Sequence, residues 1–213
     1  MFKKNTWIIV VVVSMLLSSE MALAGNGSIV MRTNLIDPSH QESYFSNDIN
    51  FYLTVSEKLS FGFETSFSPK SDYLKVKPFA TWAVDKSWSL IGGFSSDSSD
   101  HEYVLGGLSY FKRLSESNSI YISACYYVGT NEGSSDYVDS FAEVKHNFGN
   151  GFALAIEVIY DYWPSEGNNW MLIGPVLHYA VSDKVDLFVR VAGENNLEQW
   201  NSIDFRIGAT YSF

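Results

Sequence analysis

After about residue 25, the chain alternates apolar and polar residues through one segment after another, and this period of two restricts its fold more than any other feature. The segment FALAIEVIYDY, residues 152–162, places large apolar residues at even positions and mostly smaller or polar residues at odd positions. The segment IDFRIGATYSF, residues 203–213, repeats the pattern. A strand buried on one face has this period, whereas an amphipathic helix repeats about every 3.6 residues. We therefore expect an all-β protein.

The breaks between these segments fall into two classes that alternate along the chain. Short turns occur at 56–58, 85–87, 114–118, 149–150 and 182–184, and longer polar loops at 37–44, 68–72, 95–101, 129–136, 164–169 and 193–201. They separate about twelve predicted strands: 27–36, 45–55, 59–67, 73–84, 88–95, 102–112, 119–128, 137–148, 151–162, 170–181, 185–192 and 202–213. Most are close to the roughly 9–11 residues that a tilted strand needs to cross a membrane. An even strand number with short turns on one side predicts a transmembrane antiparallel β-barrel.

The first 24 residues have the pattern of a cleaved secretory signal peptide. Lys3 and Lys4 precede an apolar run over 7–17, and the segment ends on the small-residue pattern Ala22-Leu23-Ala24. The apolar run is too short to span a bilayer as a helix, which takes about 20 residues. We expect a signal peptide over 1–24 and an outer-membrane barrel over 25–213, with its short turns in the periplasm.

Composition excludes some functions and supports membrane insertion. The chain has 14 Lys and Arg against 24 Asp and Glu, which argues against nucleic acid as a partner. The single cysteine, Cys125, cannot form an internal disulfide. The large apolar residues exceed what one soluble β-sandwich core would hold. Aromatic residues at strand ends predict interfacial girdles against lipid and lipopolysaccharide: Tyr73, Trp82, Trp88, Tyr162, Trp163, Trp170, Tyr179 and Tyr211.

Two stretches carry a resemblance to known outer-membrane proteins. The segment DKSWSLIGGFSSDSSDHEYVLGGLSYF, residues 85–111, and the closing segment SIDFRIGATYSF resemble the oligogalacturonate and sialic-acid porin family of the KdgM/NanC type. That resemblance implies a narrow twelve-stranded barrel that takes up small acidic saccharides, with arginines in the lumen guiding carboxylates. Tyr211 and Phe213 also resemble the C-terminal signature that the outer-membrane assembly machinery recognises, and this machinery is an expected partner.

The face opposite the apolar one supplies the candidate pore lining. In the predicted strands its charged residues are Arg32, Glu64, Lys75, Lys77, Glu143, Lys145, Glu157, Asp161, Asp186, Arg190, Asp204 and Arg206, with Asp139 and Glu194 as further acidic candidates. The lining mixes both signs and lacks a dense arginine ladder, so we do not carry over the family's anion selectivity. Each of these charges could instead stabilise the barrel without contacting a solute. In this alternative, Glu143 pairs with Lys145, or Asp204 with Arg206, inside the barrel.

No residue pattern indicates catalysis, a metal site or a cofactor. His101 lies beside Ser99 and Asp100, which are the residue types of a hydrolytic triad, but such triads are normally built from distant segments. His146 and His178 have no second metal ligand at a suitable spacing.

The sequence therefore predicts an outer-membrane channel for passive diffusion of small hydrophilic solutes, and we do not expect an enzyme. Two alternatives remain open: a non-conducting structural or adhesion barrel and, ranked behind it, a barrel enzyme.

Overall fold

The computed structural model describes residues 26–38, 44–69, 72–195 and 200–213, and the predicted signal peptide lies outside this part of the chain. Its strands are β1 (Gly27–Pro38), β2 (Tyr44–Thr54), β3 (Leu59–Ser68), β4 (Tyr73–Ala83), β5 (Trp88–Asp97), β6 (Glu102–Arg113), β7 (Asn118–Gly129), β8 (Tyr137–Gly149), β9 (Phe152–Trp163), β10 (Asn168–Ser182), β11 (Val185–Asn195) and β12 (Trp200–Ser212). No helix among the described residues is long and apolar enough to cross a membrane.

The strands form one closed barrel in which each pairs antiparallel with its sequence neighbours. β1 closes the ring by pairing with β12, from Ser28 opposite Ser212 to Pro38 opposite Ser202. The Phe213 amide donates to the Gly27 carbonyl at 3.0 Å, which continues this seam to the last residue. Closure leaves no unpaired sheet edge, as hydrocarbon requires. The prediction of a twelve-stranded antiparallel barrel is confirmed.

The two classes of connection lie at opposite ends of the barrel. Short turns occupy 55–58, 84–87, 114–117, 150–151 and 183–184. In one of them, Ser87 and Trp88 donate their amides to Asp85 Oδ1 at 2.7 and 2.8 Å. These two hydrogen bonds lower the pKa of the Asp85 carboxyl below its ordinary value. The longer loops lie at the other end, and three of them include 39–43, 70–71 and 196–199, which lie outside the described residues.

The outer face of the barrel is an apolar belt. Leu108 and Ile207 are 49% and 53% exposed, although both are large and apolar. Residues of the same kind surround the barrel: Leu90, Ile122, Ile156, Leu177, Val189 and Val191. An exposed apolar surface of this extent is stable when lipid covers it.

The predicted aromatic girdle is only partly present. Trp82, Trp88, Tyr179 and Tyr211 are exposed on the outer face near the short turns, where an interfacial girdle belongs. Other predicted girdle residues lie inside: Tyr73 and Trp170 line the interior, and Trp163 packs on Tyr137. The prediction was wrong for these three because their strand register points them into the lumen.

Aromatic rings also pack over inner-face glycines. The Phe79 ring covers Gly62 so closely that a Cβ there would lie 2.1 Å from the ring. Phe188 covers Gly208 in the same way. These glycines accommodate rings that lie flat against the wall, which leaves more of the barrel interior open.

Candidate functional site: the barrel interior

Two cavities occupy the interior and share part of their lining. The larger, about 1080 Å³, is lined towards the long-loop end by Tyr44, Tyr73 and Trp170. The smaller, about 470 Å³, lies deeper and is lined by residues such as Ser123 and Thr81. Both cavities have Arg32, Ile159 and Arg206 in their walls. The interior is therefore a wide outer vestibule that meets a narrower inner chamber.

The structure places all twelve candidate pore-lining residues on strands in the inward register. Those that line the two cavities are Arg32, Glu64, Lys75, Lys77, Glu157, Arg190, Asp204 and Arg206. Glu143, Lys145, Asp161 and Asp186 share the inner face but do not line either cavity. Any role in conduction for these side chains stays a prediction.

Arg190 on β11 is the most buried charged side chain among the described residues, at 1% exposure. Its Nη1 donates to Glu157 Oε2 at 3.1 Å, and its Nη2 donates to Asp204 Oδ1 at 2.6 Å. Both carboxylates are themselves largely buried. One cation held between two anions braces β9, β11 and β12 from inside, since a buried charge without a partner is strongly unfavourable.

A second polar chain crosses the β12–β1–β2 seam. The Arg206 Nε donates to Asn34 Oδ1, and Asn34 Nδ2 donates to Asp48 Oδ2 at 3.1 Å. Asp48 also lies 3.1 Å from Arg32 Nε in an ion pair. Asp204 pairs with Arg190, whereas Arg206 pairs with Asn34. The pairing of Asp204 with Arg206 that the sequence suggested is therefore wrong. We call these residues together with Glu157 the arginine network.

The two β4 lysines differ in their partners. Lys77 Nζ lies 2.5 Å from Glu64 Oε2, and the Tyr52 hydroxyl donates to Glu64 Oε1 at 2.9 Å. Lys75 makes no ion pair with any described residue, and its Nζ lies 6.0 Å from the centroid of the Tyr127 ring on β7. The Lys77 charge is matched within the wall, whereas the Lys75 charge is free to act on the lumen.

An aromatic cluster on β6–β9 narrows the barrel opposite these strands. The rings of Tyr127 and Tyr137 stack with centroids 4.3 Å apart, and Trp163 stacks on Tyr137 at 5.7 Å. Tyr103 meets both tyrosines edge to face. Stacked rings form a stiff wall, so this side of the lumen holds its shape better than the side formed by long charged chains.

Two histidines, His101 and His178, each contact one carboxylate. His178 Nδ1 lies 2.8 Å from Asp186 Oδ2 on the inner face, and His101 Nδ1 lies 3.1 Å from Asp97 Oδ2 in a loop. His101 thus contacts Asp97 and not its neighbour Asp100. No group of three or more His, Cys, Asp or Glu side chains in the described part of the chain could hold a metal ion.

Sequence reasoning missed Asp48, which is buried and joins Arg32 to Asn34. Its signal was present, because Asp48 precedes Asn50 by two residues and so shares its inward register on β2. The predicted strand over 45–55 contains Asp48, but the candidate pore lining does not include it.

Structural comparison relates the barrel to solved outer-membrane proteins. The fold is similar to a KdgM porin, with a TM-score of 0.67 at 15% identity over 87% of this chain and 99% of that one. It is similar to a NanC porin, with a TM-score of 0.65 at 11% identity over 87% and 100%. The translocator domain of the autotransporter NalP from Neisseria meningitidis matches with a TM-score of 0.57 at 8% identity over 97% and 96%.

No protein-family model and no curated protein matches the sequence. The likeness is therefore one of architecture, and it extends over nearly the whole length of both porins. The strand number, the closure and the apolar outer belt agree with it. The chain folds as a closed twelve-stranded antiparallel β-barrel, and this fold is similar to that of the KdgM and NanC porins.

Proposed function

We propose that the protein is an outer-membrane channel for passive diffusion of small hydrophilic solutes. The observation that carries this proposal is the pair of charged cavities that share Arg32, Ile159 and Arg206 in their walls. Eight-stranded barrels are filled by side chains, whereas a twelve-stranded barrel is wide enough to leave interior space. A KdgM porin has been solved in complex with disordered oligogalacturonate, which is consistent with solute passage through this fold.

Single-channel recording on a variant that narrows the inner chamber tests the proposal. Ser123 lies in the wall of the smaller cavity on β7, and Ser123→Trp would add a large ring there. We expect the refolded protein to give discrete current steps in a planar bilayer, and the variant to give clearly smaller steps. Val128→Trp, on the exposed outer face of the same strand, is the matched control and should conduct like the parent. Equal conductance in all three would place the ion path outside the lumen.

The ion selectivity of the channel follows from the charges at its mouth. The long loops and adjoining strand ends carry Asp97, Asp100, Glu102, Glu132, Asp136 and Glu166, with His101 beside them. Such a mouth concentrates cations and repels anions. We expect reversal potentials in a salt gradient to show cation preference near 0.01 M salt. The preference should fade near 1 M, because the Debye length falls from about 30 Å to about 3 Å.

Neutralising exposed carboxylates of the long loops tests whether they cause the cation preference. Glu132 and Glu166 are exposed in their loops, and the double change Glu132→Gln, Glu166→Gln should reduce the cation preference at low salt. Glu116→Gln, in an exposed short turn at the other end, is the control for total charge. A clear anion preference at low salt in the parent protein would contradict the account and favour the acidic-saccharide chemistry of the family.

One observation favours a non-conducting barrel as the second candidate. The arginine network ties β9, β11, β12, β1 and β2 together across the interior, as a structural brace would. The NalP translocator domain shows that this architecture also occurs in an autotransporter. A bilayer that stays silent at saturating protein would favour this candidate.

The assembly partner is a separate proposal. Phe213 continues the β1–β12 seam through its contacts with Gly27, and the Tyr211 and Phe213 rings lie 6.3 Å apart. We propose that the outer-membrane assembly machinery recognises these two aromatic residues. Phe213→Asp should lower the surface level of the protein while its export across the inner membrane continues. An unchanged surface level would contradict recognition of Phe213 by the assembly machinery.

A further inference from the structure

Lys75 is a lumen cation that forms no ion pair with any carboxylate in the described part of the chain. It lines the larger cavity, and the described residues place no carboxylate within ion-pair distance of its Nζ. Its position over the Tyr127 ring, at 6.0 Å, is near the outer limit of a cation–π contact. Lys77, two residues away, shows the alternative arrangement, because its Nζ is held at 2.5 Å by Glu64.

Two carboxylates that form no ion pair with a described cation lie on the other side of the barrel. Asp139 on β8 and Asp161 on β9 stand directly opposite each other in the strand register, and both belong to the inner face. Asp161 Oδ1 is buried without a hydrogen-bond partner, and Asp139 Oδ2 accepts only a long bond, 3.4 Å, from the Tyr127 hydroxyl. Like charges directly opposite in a sheet destabilise it unless something compensates them.

Lys75 and this carboxylate pair face each other through the lumen. β4 and β9 are five strands apart in a ring of twelve, which places them on nearly opposite walls. The Tyr127 side chain lies between them, because its ring centroid is 6.0 Å from Lys75 Nζ and its hydroxyl donates to Asp139 Oδ2 at 3.4 Å, so the three groups lie near the same depth. Asp139 also lines the smaller cavity and Lys75 the larger one, so the site lies along the path between them.

We propose that Lys75 and the Asp139–Asp161 pair form a subsite for zwitterionic solutes, small molecules that carry a carboxylate at one end and an ammonium at the other. The solute carboxylate meets Lys75, and the solute ammonium meets Asp139 in the wall of the smaller cavity, where the charge of the neighbouring Asp161 strengthens the attraction. The inference deepens the proposed channel function and rests on it. Arg190 and Arg32 are less suited to this role, because both already have carboxylate partners within the wall.

Weak binding at this depth would raise the flux of such solutes. A channel site must attract its solute strongly enough to admit it and weakly enough to release it. Ion pairs in partly exposed positions contribute modestly, about 0.2–1 kcal/mol each. Contacts of that size correspond to roughly 1.4- to 5-fold per pair. A zwitterionic solute is attracted both by Lys75 and by the Asp139–Asp161 pair. A solute with only one charge is attracted by one of these groups and repelled by the other.

Four probes of similar size separate the contributions of the two charges. Glycylglycine carries both, N-acetylglycine only the carboxylate, glycylglycinamide only the ammonium, and N-acetylglycinamide neither. We expect proteoliposomes containing the intact barrel to take up glycylglycine about 2- to 25-fold faster than N-acetylglycinamide in low salt, from the two pair effects combined. High salt should reduce the ratio, because screening weakens both contacts.

Two variants test whether Lys75 and the aspartate pair cause the faster uptake of glycylglycine. Lys75→Met should remove the advantage of glycylglycine over glycylglycinamide, and Asp161→Asn should remove its advantage over N-acetylglycine. Lys58→Met, in an exposed short turn away from the lumen, is the matched control and should change neither ratio. Uptake of N-acetylglycinamide reports that each variant still forms an open channel.

The outcomes separate the subsite from the channel. If all four probes enter, and neither Lys75→Met nor Asp161→Asn changes the ratios of their uptake rates, the proposed subsite is wrong and the proposed channel function stands. Preference for N-acetylglycine over glycylglycine would also overturn it. No uptake of any probe above protein-free liposomes would instead contradict the proposed function itself.

Discussion

Replacing Arg190 by methionine is expected to destabilise the barrel by about 3–5 kcal/mol, because the change leaves buried carboxylates without their cation. Glu157 and Asp204 both lose a charged hydrogen bond in this variant, and each is shielded from water. Urea unfolding of the protein refolded into lipid vesicles, followed by tryptophan fluorescence, measures the difference in the free energy of unfolding.

A triple variant distinguishes lost pairing from lost packing. Arg190→Met combined with Glu157→Gln and Asp204→Asn removes the unpaired charges, and it should recover much of the stability lost in the single variant. Lys145→Met, which removes an inner-face cation outside the network, should change stability by far less. A single Arg190→Met variant as stable as the parent would show that the network does not brace the barrel.

Ile156→Arg is expected to destabilise the inserted barrel by about 2–4 kcal/mol, because basic residues are unfavourable on the lipid face near the bilayer midplane. Ile156 lies on the outer face of β9 and is 44% exposed. Its neighbour in the apolar belt across β10 is Pro175, so no polar group is available there to hold a guanidinium. The same unfolding measurement in vesicles gives the size of the effect.

The same substitution three residues along β9 supplies the control. Ile159 belongs to the inner face and lines both cavities, so an Ile159→Arg side chain would meet water and carboxylates. We expect Ile159→Arg to fold with little loss of stability and to alter the conductance. Equal destabilisation by the two arginines would contradict the assignment of an apolar outer face and a wet interior.

The strands could be predicted from the sequence because their period of two persists between recognisable turns. The predicted strand over 59–67 and the observed Leu59–Ser68 differ by one residue, and 185–192 against Val185–Asn195 by three. The inward position of Arg190 and Arg206 followed from the same alternation, since a one-residue slip would expose every apolar residue to the lumen.

The partners of the lumen charges could not be predicted, because they depend on strand tilt and on side-chain reach. Arg190 and Glu157 are 33 residues apart and lie on strands separated by β10. The expected Asp204–Arg206 pair lies within one strand, and the structure instead sends Arg206 across the seam to Asn34. Trp163 likewise has the aromatic character of a girdle residue, and only the β8–β9 register shows that it packs inside on Tyr137.

Osmotic swelling of proteoliposomes with uncharged sugars of graded size tests the central claim, passive diffusion of small hydrophilic solutes, most directly. Uncharged probes remove the influence of the lumen charges, so the rate reports the open width of the path between the two cavities. The account predicts swelling by small sugars at rates that fall as solute size rises, and slower swelling with Ser123→Trp. Swelling no faster than in protein-free liposomes, from protein shown to be folded and inserted, would contradict it.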